Sequence, residues 1–244
     1  MNDRGFYHRL AESYRIRYGT DFSRVFRDDW FKRLLDGTES GPTKTVLDAG
    51  CGSGVILSEL ACSFGRVLGL DLSFDMLSSV ERGDAPMTGL LLSDMRAIPL
   101  PDGSVDVVIC RGSLCHVDDM PAAIHELYRI VKPGGYLVVS EPSLDSTLLR
   151  LPRRFLTHRS KLFKPTHRAY SSMQFRSLFH SAGLRIVRQE YFGYLAFPLC
   201  GMADLLPILP RLPFKRGIAA LLVAVDRRLA RLPLVNRQAW HVIL

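Results

Sequence analysis

The segment Thr45-Val46-Leu47-Asp48-Ala49-Gly50-Cys51-Gly52-Ser53-Gly54 restricts the fold of this chain more than any other stretch. A short apolar run ends in an acid, and three glycines follow on alternate positions. The run reads as a buried strand. The glycines read as a turn whose backbone approaches a ligand too closely to leave room for Cβ atoms. The spacing is not that of the dinucleotide fingerprint G-x-G-x-x-G, because a single residue separates Gly52 from Gly54.

Beyond this turn, strand-like and helix-like stretches alternate. Strands are expected at 45–49, 66–71, 89–92, 105–110, 136–140, 184–191 and 238–244, and helices at 54–63, 74–81, 120–131 and 171–182. Alternation of this kind implies a parallel sheet with helices on both faces. Lys132-Pro133-Gly134-Gly135 supplies the stop before the fifth strand. Upstream, residues 6–35 read as helical, with Tyr7, Leu10, Ala11, Tyr14 and Tyr18 at three- and four-residue spacing and Phe26, Trp30, Phe31, Leu34 and Leu35 continuing the apolar side. Two segments break the alternation, 143–170 and 193–237. The second ends in an expected helix whose Ile218, Leu221, Leu222, Val225, Leu229 and Leu232 share one face.

At 244 residues the chain is long enough to bury a substantial core. Five cysteines form no C-x-x-C pair and no zinc-spaced cluster with histidine, so reduced, mostly buried thiols are expected. The first residues lack an apolar signal core, and no run reaches the ~18 apolar residues of a spanning helix. The expectation is a cytoplasmic protein. Charge is divided unevenly: residues 1–142 hold 15 Lys/Arg against 20 Asp/Glu, and residues 143–244 hold 17 against 4, a net of +13. The back half is therefore suited to an anionic surface or ligand.

The motif D-x-G-x-G-x-G at Asp48–Gly54 resembles the first motif of the class I S-adenosylmethionine-dependent methyltransferases. Later stretches add to the resemblance at matching intervals: Leu91-Leu92-Ser93-Asp94-Met95, Ile98-Pro99-Leu100-Pro101-Asp102-Gly103, and Leu127-Tyr128-Arg129-Ile130-Val131-Lys132-Pro133-Gly134-Gly135. It covers 45–142 closely, and 171–192 and 238–244 more loosely. It implies a Rossmann-like α/β fold with a seven-stranded, mostly parallel sheet, in one domain over 1–244. That domain would comprise a helical lid (1–40), a cofactor-binding core (45–142), a basic insertion (143–170) and an apolar, basic insertion (193–237).

S-adenosyl-L-methionine is the cofactor the resemblance implies. Asp48, Gly50, Cys51, Gly52 and Gly54 would wrap its methionine end, held by backbone groups at a helix N-terminus. Asp71, with Leu72 beside it, would accept the ribose hydroxyls. Asp94 would read the adenine amino group with Met95 packed on the ring, and Arg111 would line the site. Tyr7, Ala11 and Tyr14 resemble the Tyr-x-x-x-Ala-x-x-Tyr lid of ubiquinone- and menaquinone-type enzymes, which puts Tyr14 over the cofactor. A nicotinamide reading shares the strand, the glycines and Asp71, but accounts for neither Asp48 nor Asp94.

Candidates for the chemistry lie where the fourth strand ends, in Cys110-Arg111-Gly112-Ser113-Leu114-Cys115-His116. His116 could take the proton of a hydroxyl acceptor, since an ordinary histidine titrates near operating pH. The plainer alternative is a histidine that packs or caps the next helix. Cys110 and Cys115 lack the context of a pyrimidine-attacking nucleophile, and the Pro-Pro motif of base-amino methylation is absent. No metal site is expected.

The two insertions are apolar and basic together. That pairing suits a small-molecule or lipid-like acceptor with an anionic head, or peripheral contact with an anionic membrane. It also suits a subunit interface or lid core with a solvated arginine rim. An RNA-modifying enzyme, with Arg150–Arg168 tracking phosphates, is the rival class. It is disfavoured by the apolar second insertion and by the lack of an added RNA-binding module. A cofactor-binding partner subunit without catalysis is the third reading.

Overall fold

The computed structural model describes residues 20–81, 89–153, 169–202, 208–233 and 235–244. The lid positions Tyr7, Ala11 and Tyr14 lie outside these residues, as does most of the basic insertion, 154–168.

Seven strands form one sheet in the order β3-β2-β1-β4-β5-β7-β6. They are β1 (Gly41–Ala49), β2 (Phe64–Asp71), β3 (Gly89–Leu92), β4 (Val105–Arg111), β5 (Val131–Pro142), β6 (Glu190–Phe192) and β7 (His241–Ile243). The first five pair in parallel, and β7 runs antiparallel between β5 and β6. This is the seven-stranded, mostly parallel α/β architecture that the resemblance implies, and the five parallel strands are those expected from the alternation.

The period of two along each central strand assigns side chains to two core layers. Val46, Val107, Ile109 and Val138 face one layer, with α1 (Asp21–Leu35), α2 (Leu57–Ala61) and α6 (Lys215–Leu229). Leu47, Val108, Cys110 and Val139 face the other, with α4 (Met120–Ile130) and α5 (Ser172–Ser181). Apolar runs without polar alternation are what strands covered on both sides require. Helix α3 (Phe74–Ser78) follows β2 and adds Leu77 to the first layer.

Helix starts are set locally. Thr20 caps α1, accepting the Ser23 N–H at 3.1 Å. Asp119 caps α4 through the Ala122 N–H at 3.1 Å, and Ser171 with Gln174 forms a capping box on α5. The helix expected from residue 54 begins instead at Leu57. Gly52 and Gly54 hold φ of +55° and +75°, which a right-handed helix cannot include, so 52–56 is a turn.

Two expectations shift near the second insertion. Of the run 184–191 only Glu190 and Tyr191 pair as a strand, β6, which reaches one residue further to Phe192, because its neighbour β7 offers three residues. Helix α6 buries Ala219, Val223 and Asp226 and leaves Leu221 exposed, while Leu232, expected on the same face, lies past its end and is exposed too. Asp226 turns inward because its carboxylate accepts the Leu195 N–H at 2.8 Å and the Ala196 N–H at 3.2 Å. Burial pushes this carboxyl up to about 6.

Helix α1 is a core element: Phe22, Phe26, Trp30 and Leu34 are buried in the first layer. Asp29 joins it to α6 through Arg227 Nε at 2.8 Å, and Asp21 does so through Arg216 at 3.0 Å.

Candidate active site

The carboxyl ends of β1, β2, β4 and β5 meet along one edge of the sheet, and the described residues singled out by the sequence gather there. After β1 the chain turns sharply. The Gly50 and Cys51 amides both donate to the Leu70 carbonyl of β2, at 2.7 and 2.9 Å. The next amide, that of Gly52, donates to Asp71 Oδ2 at 2.8 Å. The Ser73 N–H donates to the other oxygen, Oδ1, at 2.8 Å. Asp71 is thereby aimed by backbone groups on both sides. Burial pushes its carboxyl up, and the bonds from Ser73, Gly52 and Leu72 pull against that shift. Leu72 and Phe74, beside it, present exposed apolar surface.

Asp48 lies beneath the turn, 2% exposed. Burial pushes its carboxyl up to about 7, opposed by the charge of Arg111 and reinforced by that of Asp71. The Cys51 thiol is likewise pushed up by burial. Gly54 closes the turn with its N–H on the Cys51 carbonyl at 3.0 Å. Over Gly52 there is open space: a Cβ built there meets nothing nearer than Met76 Sδ at 4.0 Å.

After β3, Met95 is buried with its methyl 3.5 Å from where a Gly50 Cβ would sit. Asp94 is more open and is gripped by Arg96. The Arg96 amide donates to Oδ1 at 2.8 Å, and its guanidinium to Oδ1 at 3.0 Å and Oδ2 at 2.7 Å. Those bonds hold the Asp94 carboxyl below the usual range. A further clamp fixes the loop that follows. Arg129 donates to the carbonyls of Ile98 and Leu100 at 2.9 and 2.8 Å and to Asp102 at 2.6 Å, while Glu126 accepts the Ile98 amide at 2.9 Å. This is the structural work of the Leu127–Gly135 motif.

At the end of β4, the Arg111 guanidinium lies 5.1 Å over the ring of Trp30. Trp30 Nε1 donates to Ser140 Oγ at 2.9 Å. The loop after Arg111 is organised by Glu141, a residue that the sequence reading missed. Wholly buried, Glu141 accepts the amides of Ser113, Leu114 and Cys115 at 2.8, 2.9 and 3.3 Å. Burial pushes its carboxyl up to about 7 against these bonds. Ser113 Oγ in turn donates to the Ala49 carbonyl at 2.8 Å, so the ends of β5, β4 and β1 are tied in one chain of contacts. Nothing in the local sequence of Glu141 marks it, since the amides it accepts lie 26 to 28 residues away.

His116 ends the short 3-10 turn Leu114–His116 and is exposed at this edge. Cys110 and Cys115 are buried, with thiols pushed well up by burial, so neither offers a thiolate. Cys51 and Cys200 are buried too, and Cys62 is exposed. Among the described residues no cluster of metal-ligating side chains forms, and no helix is long and apolar enough to cross a membrane.

Residues 47–139 match the family model described as a methyltransferase domain. The chain is 31% identical over 170 residues to a demethylmenaquinone methyltransferase of Bacillus licheniformis, covering 61% of this chain and 73% of that protein. It is 36% identical over 120 residues to a malonyl-[acyl-carrier protein] O-methyltransferase of Serratia marcescens, covering 49% and 47% respectively. The chain spans about half the length of several curated relatives that it matches. A solved SAM-dependent methyltransferase of Thermotoga maritima superposes with a TM-score of 0.62 at 22% identity, over 78% of this chain and 85% of that one. The chain belongs to the class I S-adenosylmethionine-dependent methyltransferases.

Proposed function

We propose that this chain transfers a methyl group from S-adenosyl-L-methionine to a small, apolar or amphiphilic acceptor, with oxygen favoured over carbon or nitrogen as the atom methylated. The observation that carries the reading is the placement of Asp71. Its two oxygens are set by the Gly52 and Ser73 amides at the end of β2, facing a turn with open space over Gly52.

The residues present fit this cofactor. The backbone of the Gly50–Gly54 turn would hold its amino-acid end, with Cys51 and the buried Asp48 supporting the turn from below. Asp71 would accept the ribose hydroxyls. Leu72, Asp94 and Met95 would border the adenine, and Arg111 would line the wall next to it. When bound, the cofactor supplies an electrophilic methyl group on a sulfonium. The chain's own part is chiefly alignment, which accounts for a large share of acceleration in such transfers. His116 would accept the proton of a hydroxyl acceptor at the exposed rim. Oxygen is favoured because a base at this position is of use to a hydroxyl. The Serratia relative, by its name, is itself an O-methyltransferase.

Calorimetry with S-adenosylhomocysteine tests the assignment. The wild type should bind, and Asp71→Ala should lose about 1–3 kcal/mol through unpaired ribose hydroxyls. Equal affinity in the two proteins would remove Asp71 from the site.

A further inference from the structure

Helix α6 turns an unusual side outward. From its cap residue Phe214 through Gly217, Leu221, Ala224 and Arg228 to Arg231, two residues past its end, a line of residues three and four apart follows the helix, and all six are exposed. A surface helix ordinarily presents charged and polar side chains to water. This stripe presents apolar and small residues along its first turns and two arginines at its end. Asp226 is the single acid between 208 and 233, and it points inward.

Phe214 is the most telling member. It is 88% exposed and sits at φ +57°, a left-handed conformation that strains an aromatic residue. Such strain is found at working surfaces. Leu221, seven residues on, is 65% exposed, and Ile208, ahead of Phe214, is 63% exposed. Cations surround this apolar line. Arg216 and Arg227 are held by Asp21 and Asp29, whereas Arg211, Lys215, Arg228 and Arg231 form no ion pair among the described residues. The half of the chain that contains them carries a net charge of +13.

We infer that the α6 stripe is a docking face for an anionic lipid bilayer, with Phe214 and Leu221 entering the headgroup boundary and Arg228 and Arg231 set against lipid phosphates. Charge complementarity selects an anionic occupant, and the apolar line selects among anionic occupants. A nucleic-acid backbone would reward the arginines but leave Phe214, Leu221 and Ile208 in water. A bilayer interface satisfies both sets at once. The inference does not depend on the methyl-transfer reading.

Vesicle flotation tests it with the full chain. Phosphatidylcholine vesicles containing phosphatidylglycerol should carry the protein, pure phosphatidylcholine vesicles should not, and added salt should release it. Arg228→Gln with Arg231→Gln should weaken partitioning by about tenfold or more, and Phe214→Ser by several-fold, each with unchanged binding of S-adenosylhomocysteine. These positions are exposed, so the variants should fold. Absence of flotation, or variants that float like the wild type, would overturn the inference. So would a salt-resistant gel shift of bulk RNA that requires the same two arginines.

Discussion

A Cβ placed on Gly50 would lie 2.3 Å from the Cβ of Ser113. The turn after β1 and the turn after β4 therefore occupy one shared space, and no residue but glycine fits at position 50. Gly50 also holds φ +80°. Both faults strike Gly50→Ala, which should cost about 2–5 kcal/mol of stability, read by urea denaturation.

Gly52→Ala separates structure from binding. A Cβ there has open space around it and meets only the strain of φ +55°. Stability should fall by about 1–2 kcal/mol, whereas affinity for S-adenosylhomocysteine should fall by about tenfold or more as the methyl group enters the ligand's space. Calorimetry beside denaturation reads both. Intact affinity would mean that the space over Gly52 is not used.

Glu141 governs the loop that carries His116. Glu141→Ala leaves three amides without their acceptor and should cost about 3 kcal/mol or more. Glu141→Gln keeps the volume but replaces one accepting oxygen with an NH₂ group that faces an N–H. It should fold, bind the cofactor nearly as before, and lose turnover. Steady-state kinetics showing equal kcat in Glu141→Gln and wild type would deny the loop any part in transfer.

His116→Ala should lower kcat by about 10²-fold and leave cofactor affinity unchanged, read by steady-state kinetics beside calorimetry. Full turnover in that variant would discard His116 as the base.

Asp48 makes stability depend on pH in the opposite sense from a paired surface carboxylate. Its folded-state value, about 7, lies above the ordinary 3.8. Between those values the folded state binds more protons than the unfolded one, so stability falls as pH rises through this window and stays lowered above it. The loss is up to about 4 kcal/mol. Denaturation at about pH 5 and about pH 8 should show this decline in the wild type and a flatter profile in Asp48→Asn, since the amide does not titrate.

Strands covered on both sides were the most legible part of the chain. Within Val105–Arg111 the run Val107–Cys110 is continuously apolar and wholly buried, and a run of that kind has few alternatives. The glycine turn was readable for a local reason too, since Gly50, Gly52 and Gly54 all hold positive φ. Glu141 was not, because its partners lie 26 to 28 residues away and hydropathy gives a buried acid no mark. Asp226 hid the true inward side of α6 likewise, its amide partners being 30 and 31 residues distant. Propensity finds elements. It does not find a charge that the fold has taken inside to satisfy distant amides.

The position of β7 sets an order of assembly. It lies between β5 and β6 although it follows both in the chain, and Val139 and Leu244 exchange two hydrogen bonds of 2.9 Å across that seam. On the ribosome, β5 and β6 are made first and wait with bare edges. Neither can be sealed until the stretch ending at Leu244 emerges from the exit tunnel. A nascent chain halted before His241–Ile243 would expose two adhesive margins, so emergence of β7, rather than synthesis of the first five strands, ends this vulnerability to aggregation.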